Sequence, residues 1–272
     1  MNEPEYVLGT HDAELHRLGF QHRVWAQQAY ALWERAGFSP GQRILDVGCG
    51  PGFATLDIAS LVGPGGRVTA VDESRRFIDH LGATCAAQGV DHVDAMVSDV
   101  HEMRLDDGHY DGAFARWVLC FVRDPEAVVA TVARSLKPGG VFAVQDYFHY
   151  RAMALAPKNE AMVCVARAVE QCWKAGGGRV DVMGQVPGMM RRADLIVASI
   201  TPVSRVARPG AALWEWPASF FRGFLPTMVR MGVLSEEDKA AFERDWAECS
   251  CDPDAFFLTP AICDVVGVKQ GE

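Results

Sequence analysis

The chain has 272 residues, 49% hydrophobic and 22% charged, with a formal net charge of −9. That length and balance suit one large soluble α/β domain, or a domain plus a lid, with a sizeable buried core. A nucleic-acid partner requires a basic face, and the acidic balance with no Lys/Arg-rich run argues against one.

Residues 11–37 read as a helix, with Leu15, Leu18, Val24, Trp25, Leu32 and Trp33 at helical spacing. Ser39-Pro40-Gly41 ends it, and Arg43 to Val47 is a short apolar strand running directly into glycines. Phe53 to Leu61 is helical, Arg67 to Val71 a second strand, Ser74 to Gln88 a second helix and Val93 to Val97 a third strand. Tyr110 to Ala115 is a fourth strand. A helix opened by Asp124-Pro125 runs from there to Leu136, where Lys137-Pro138-Gly139-Gly140 stops it before a fifth strand, Val141 to Gln145. Strands alternating with helices predict right-handed βαβ units and a parallel sheet. The last third is less regular. Ala156 to Lys174 and Val182 to Ala193 read as helices, Leu195 to Arg205 and Phe256 to Val268 as strands, and 211–248 as an aromatic helical insertion.

No stretch of about 18 apolar residues predicts a membrane span. Met1 to Thr10 lacks the charged and apolar regions of a signal peptide. Eight cysteines include no C-x-x-C pair, and Cys249 and Cys251 are too close for an easy disulfide or a zinc site. Reduced thiols in a cytoplasmic protein, with no metal, are expected.

The strongest motif is Asp46-x-Gly48-x-Gly50-x-Gly52 at the end of the first strand. Glycines there let the backbone turn sharply beside a ligand, and the next helix presents free N–H groups. A nicotinamide dinucleotide wants G-x-G-x-x-G, but the third glycine position is Phe53. Asp46 opposes a pyrophosphate and suits a ligand carrying an ammonium and a sulfonium. The charge logic therefore favours S-adenosylmethionine over a nicotinamide cofactor. Asp72, with Glu73 beside it, ends the second strand and can accept from ribose hydroxyls or simply begin a helix cap. Ser98-Asp99-Val100 follows the third strand; the aspartate can accept from an adenine amino group or act as a turn residue. Arg116 and Trp117 follow the fourth strand, where Trp117 either packs on adenine or closes the core.

Together Ile44 to Gly52, Val71-Asp72, Ser98-Asp99, Tyr110-Asp111 and Leu136 to Gly140 resemble the class I S-adenosylmethionine-dependent methyltransferases, over roughly residues 40–150. The resemblance is to the group holding quinone-biosynthesis C-methyltransferases and many small-molecule O- and N-methyltransferases. It implies a Rossmann-like, doubly wound, seven-stranded and mostly parallel sheet with one antiparallel edge strand. It also implies a helical N-terminal cover over 1–38, a methyltransferase domain over 39–272, and lid insertions at about 156–178 and 211–250. Cofactor contacts are then expected from Asp46, Gly48, Gly50, Gly52, Phe53, Asp72, Glu73, Ser98, Asp99, Val100, Arg116, Trp117 and Gln21, with S-adenosyl-L-homocysteine as product.

Methyl transfer needs alignment and exclusion of water, and sometimes a base. Asp146 to Tyr150 follow the fifth strand and face the crevice in principle. Tyr147 and His149 are candidates to touch the acceptor, and His11 or His149 to act as base. Tyr6, Tyr147, Trp214 and Phe220 are candidate acceptor contacts. Gln21, His22 and Trp25 can line the mouth, although His16 and His22 read equally well as solvated helix residues. The cluster Trp214, Trp216, Phe220, Phe221 and Phe224 suggests an apolar or planar acceptor, or else a lid packed on the domain or a homodimer face. A cofactor-binding protein that does not methylate is the rival on the same scaffold, and a nicotinamide-dependent oxidoreductase the rival from another class.

Overall fold

The computed structural model describes residues 12–271. In chain order the elements are α1 (Asp12–Arg35), β1 (Arg43–Val47), α2 (Phe53–Val62), β2 (Arg67–Asp72), α3 (Arg75–Gln88), β3 (Val93–Val97), β4 (Tyr110–Arg116), α4 (Pro125–Ser135) and β5 (Leu136–His149). There follow β6 (Ala154–Ala156), α5 (Glu160–Ala175), α6 (Val186–Arg192), β7 (Leu195–Val203), β8 (Val206–Ala207), α7 (Ala212–Arg230), α8 (Glu236–Cys251), β9 (Phe256–Leu258) and β10 (Ala261–Lys269).

Seven strands form one sheet in the order β3-β2-β1-β4-β5-β10-β7. All its pairings are parallel except those of β10, which runs antiparallel between β5 and β7. Ile44, Leu45, Val47, Ala113, Phe114 and Ala115 on the central strands are buried, as expected for strands covered on both faces. Strand order reverses between β1 and β4, which opens a crevice at their C-terminal ends.

Local chemistry starts the helices that flank this crevice. The Ser74 hydroxyl accepts from Phe77 N to cap α3, and the Asp124 carboxylate accepts from Ala127 N at the head of α4. Pro125 sits in the first turn of α4, where no N–H is needed. On the far side, Asp264 of β10 is buried between Gln145 and Arg35, tying β5 and α1 to the antiparallel strand.

Three expectations change, and one small sheet is new. Leu136 to Gly140 is not only a helix stop: it is the start of β5, with Gly139 at φ 78° and a register shift opposite Tyr110/Gly112. The expected strand 256–268 is two strands, because Thr259-Pro260 interrupts the ladder and sends β9 to a second sheet. That second sheet, β6-β9-β8, is built from segments of two or three residues, too short to leave a periodic signal. The helix expected from Val182 begins at Val186 instead, after a short turn at Val182–Gly184.

The aromatic insertion is two helices. Leu213, Trp216, Phe221 and Phe224 of α7 pack with α5 and the small sheet in one buried cluster. No helix among the described residues is long and apolar enough to cross a membrane.

Candidate active site

A cavity of about 470 Å³ occupies the crevice above β1 and β4 and extends beneath the helices after β5. Its walls come from the turn after β1, the ends of β2, β3 and β4, the stretch after β5, and α1, α5 and α7.

The glycine turn is shaped by φ values that only glycine adopts cheaply. Gly48 has φ 63°, and a Cβ there would lie 2.5 Å from Val118 Cγ2. Gly50 has φ 56°, and a Cβ would meet nothing within 4 Å, so it lies bare on the cavity wall. Asp72 pins this turn: its Oδ2 accepts from Gly50 N at 2.8 Å and its Oδ1 from Ser74 N at 2.9 Å. Burial pushes the Asp72 carboxyl above its ordinary value, while those two N–H groups oppose the rise.

Asp46 is 2% exposed and accepts from Thr55 Oγ1 at 2.6 Å. Burial raises its pKa to about 7 against the pull of Thr55 and Arg116. Arg116 faces the same space. Burial lowers its pKa to about 10, so it stays charged near neutral pH. Its Nη2 donates to His22 Nδ1 at 2.9 Å, and Nη1 is buried without a partner. His22 Nε2 in turn meets Asp57 Oδ2 at 2.8 Å, and Tyr30 Oη donates to the same oxygen at 2.6 Å. With Arg116 donating to Nδ1, the proton of a neutral His22 sits on Nε2.

This end therefore offers, in one buried pocket, a carboxylate and a guanidinium that act on each other without a hydrogen bond, the guanidinium with one nitrogen unpartnered. An amino acid zwitterion satisfies both. Asp99 fits the far end. Burial pushes its carboxyl up, but hydrogen bonds from His101 N and Nδ1, each 2.8 Å from Oδ1, outweigh that and hold it below the ordinary value. The donor set suits S-adenosylmethionine: Asp46 and Arg116 for the amino acid, Asp72 for the ribose, Asp99 for the adenine.

Trp117 is left-handed at φ 53°, a conformation that costs a bulky residue energy and here turns the indole into the cavity. The turn is held by Trp117 N donating to Gln145 O at 3.0 Å and Cys120 N donating to Asp146 Oδ2 at 3.1 Å. Asp146 is fully buried, and burial lifts its pKa to about 6. Trp117 stacks at 6.2 Å on both Tyr147 and Trp216.

Beyond Trp117 the wall is mostly aromatic: Tyr147, Tyr150, Trp173, Phe220 and Phe257 line it together with Met153. Burial pushes both tyrosine hydroxyls above their ordinary value.

Of the residues expected to touch a cofactor, Asp46, Gly48, Gly50, Phe53, Asp72, Glu73, Asp99, Val100, Arg116, Trp117 and Gln21 line the cavity. Gly52 and Ser98 do not. Gly52 lies against Leu81 of α3, and the Ser98 hydroxyl turns back to Asp99 O. Of the acceptor-side expectations, Tyr147 and Phe220 line the cavity. Trp214 does not; it stacks on Trp246 at 4.7 Å and donates to Ser250 Oγ, joining α7 to α8.

His149 is exposed and off the cavity wall, which removes it as a base in this geometry. The pairing of β5 with β10 slips by one residue at Phe148, so strand alternation carries Tyr147 inward but not His149. Tyr6 and His11 lie outside the described residues. His22 is not a solvated helix residue but 8% exposed and hydrogen-bonded on both ring nitrogens. Sequence reading missed Thr55, Asp57 and Trp173, and placed Tyr150 only within the stretch Asp146 to Tyr150. Asp57 had a signal, as the lone charge in the otherwise apolar helix Phe53–Val62. Thr55 is local, nine residues from Asp46, but an ordinary helix threonine gives no signal, whereas Trp173 reaches the site only through packing of a distant element. Among the described residues no three His, Cys, Asp or Glu side chains group to hold a metal.

A family model described as a methyltransferase domain matches residues 45–144. The methyltransferase GfsG of Streptomyces halstedii is 27% identical over 210 residues, 76% of this chain and 70% of that protein. The 2-phytyl-1,4-naphtoquinone methyltransferase of Synechococcus elongatus is 32% identical over 127 residues, 46% of this chain and 53% of that one. Among solved structures, the geranyl diphosphate C-methyltransferase of Streptomyces coelicolor A3(2) superposes with a TM-score of 0.60 at 17% identity, covering 91% of this chain and 81% of that one. The first three curated relatives are spanned over 29%, 70% and 33% of their own lengths.

Proposed function

We propose that this chain, which belongs to the class I S-adenosylmethionine-dependent methyltransferases, transfers a methyl group to a small, planar and largely apolar molecule held beneath α5 and α7. The observation that carries the reading is the pairing of Asp46 and Arg116 at one end of a cavity whose other end is walled by aromatic rings. Ligand pockets of this kind combine apolar walls with a few convergent polar groups.

Bound at the glycine turn, S-adenosylmethionine supplies a methyl group on a sulfonium, a carbon already activated for displacement. The chain's own residues do the rest. Asp46 and Arg116 hold the amino-acid end in one orientation. Asp72 fixes the ribose and the Gly50 turn together. Trp117 divides the two ends and sets where an acceptor ring can lie. Trp216 and Phe220 of α7 cover that ring and exclude water, so that alignment contributes most of the rate. A planar acceptor accords with the aromatic wall and with the quinone named for the Synechococcus relative.

Calorimetric titration with S-adenosylhomocysteine and with NADH tests the first half of this reading. Binding of the former and not the latter is expected, and the reverse would end it. Incubation with S-adenosylmethionine and a panel of planar acceptors, followed by quantitation of S-adenosylhomocysteine, tests the second half.

A further inference from the structure

The polar atoms on the acceptor side of Trp117 are hydrogen-bond donors rather than bases. The Trp117 indole N–H is buried without a partner. Tyr147 and Tyr150 bring two phenol hydroxyls to the same wall, with their rings edge to face at 4.9 Å. Burial keeps both hydroxyls protonated far above neutral pH, so each can donate and neither can remove a proton.

A paired charge lies beside this wall on α1. Arg17 lies close enough to draw on both tyrosine hydroxyls. It is held from the other side by Glu14, at 2.6 and 2.7 Å, and by Gln21 at 3.0 Å. Asp146 and the Cys120 thiol also face Tyr147, but both are buried behind it and off the cavity wall. An aromatic wall by itself suits a cation as well as a neutral ring. The Arg17 charge is already paired with Glu14 and does not decide the matter; an unpartnered indole N–H and two phenol hydroxyls on one apolar wall favour an electron-rich oxygen over a cation.

We infer that the acceptor is a planar phenol or enol that ionises by its own acidity, its oxygen received by Trp117, Tyr147 and Tyr150. This rests on the cofactor reading given above. The acceptor's proton leaves to water before transfer. The oxygen–carbon bond then forms as the carbon–sulfur bond breaks, the electron pair staying on sulfur, which becomes a neutral thioether. The protein serves the oxyanion by hydrogen bonding and selects acceptors by how readily they ionise.

The test uses the whole chain loaded with S-adenosylhomocysteine and titrated with 6-cyano-2-naphthol, whose naphtholate is distinguished by its absorbance. The ionisation midpoint of the bound naphthol is expected about one pH unit or more below its value in water. Tyr147→Phe and Tyr150→Phe should each return part of that shift while melting temperature and S-adenosylhomocysteine affinity hold. A midpoint unmoved or raised on binding overturns the inference. So does preferential binding of 2-naphthylamine, or failure of both 6-cyano-2-naphthol and the smaller 4-cyanophenol to bind. If S-adenosylhomocysteine itself does not bind, the cofactor reading falls first and the inference falls with it, so the two failures are told apart.

Discussion

The Trp216 indole N–H on α7 donates to Gln21 Oε1 on α1 at 2.9 Å, joining two segments 195 residues apart across the mouth of the cavity. The same Gln21 oxygen accepts from Arg17 Nη1 at 3.0 Å, and the same Trp216 stacks on Trp117. One amide thus couples the N-terminal helix, the aromatic lid and the residue that divides the cavity.

Gln21→Leu keeps the bulk and removes the acceptor. A part-buried hydrogen bond of this kind is worth about 1 kcal/mol, roughly a fivefold change in a local opening equilibrium. Amide hydrogen exchange in α7 should quicken by about that factor while β1 and β4 keep their protection. Unchanged exchange in α7 would mean that the contact does not latch the lid.

Asp46 should make cofactor binding depend on pH. Its native pKa of about 7 lies above its ordinary value of 3.8. Between those values the native chain holds a proton that the unfolded chain has released, so Asp46 costs stability as pH rises from about 4 to about 7. A ligand ammonium beside it reverses the preference, because it favours the ionised carboxylate. S-adenosylhomocysteine should therefore bind more tightly as pH rises from 5.5 to 7.5, by up to about tenfold per unit below the pKa. Asp46→Asn should bind weakly at every pH, with that slope flattened. Calorimetry across this range would show the difference, and identical slopes in the two proteins would remove Asp46 from the ammonium.

Arg116 is tested by which ligand suffers. Its unpartnered Nη1 is assigned to a carboxylate, so Arg116→Gln should weaken S-adenosylhomocysteine by about 10- to 100-fold, the range of a charge-assisted hydrogen bond. 5′-Methylthioadenosine has the same nucleoside but no carboxylate, and its affinity should hardly move. Equal losses for both would show that the variant damaged the pocket as a whole.

The half of the cavity at the glycine turn was legible in the sequence because its groups sit at the ends of consecutive strands. Asp46, Asp72 and Asp99 lie at or just past the ends of strands β1, β2 and β3, and βαβ winding brings those ends together. The acceptor half was less so. Tyr150, Trp173 and Phe257 come from three elements after β5 that meet only through α7 and a sheet of two- and three-residue strands. His149 misled because period-two alternation cannot foresee a bulge at Phe148. Trp214 misled because helical neighbours look alike until it is known that α8 packs against its face of α7.

The glycine motif itself divides into residues that line the cavity and residues packed behind it, and two alanine substitutions separate them. Gly50 has φ 56° and open space where a Cβ would go, so Gly50→Ala adds only backbone strain, about 1 kcal/mol, in the free protein. Its methyl group would stand in the cavity, so S-adenosylhomocysteine affinity should fall well beyond what that strain explains. Gly52 has φ 85° and would place a Cβ 2.4 Å from Leu81 Cδ1, which is fully buried and has little room to move. Gly52→Ala should therefore lower the melting temperature more than Gly50→Ala does. Its remaining folded fraction should bind S-adenosylhomocysteine nearly as the parent does, because Gly52 faces α3 and not the cavity. Thermal melts paired with calorimetry decide the matter. A Gly50 variant that is unstable yet binds normally, or a Gly52 variant that is stable yet does not bind, would invert the assignment.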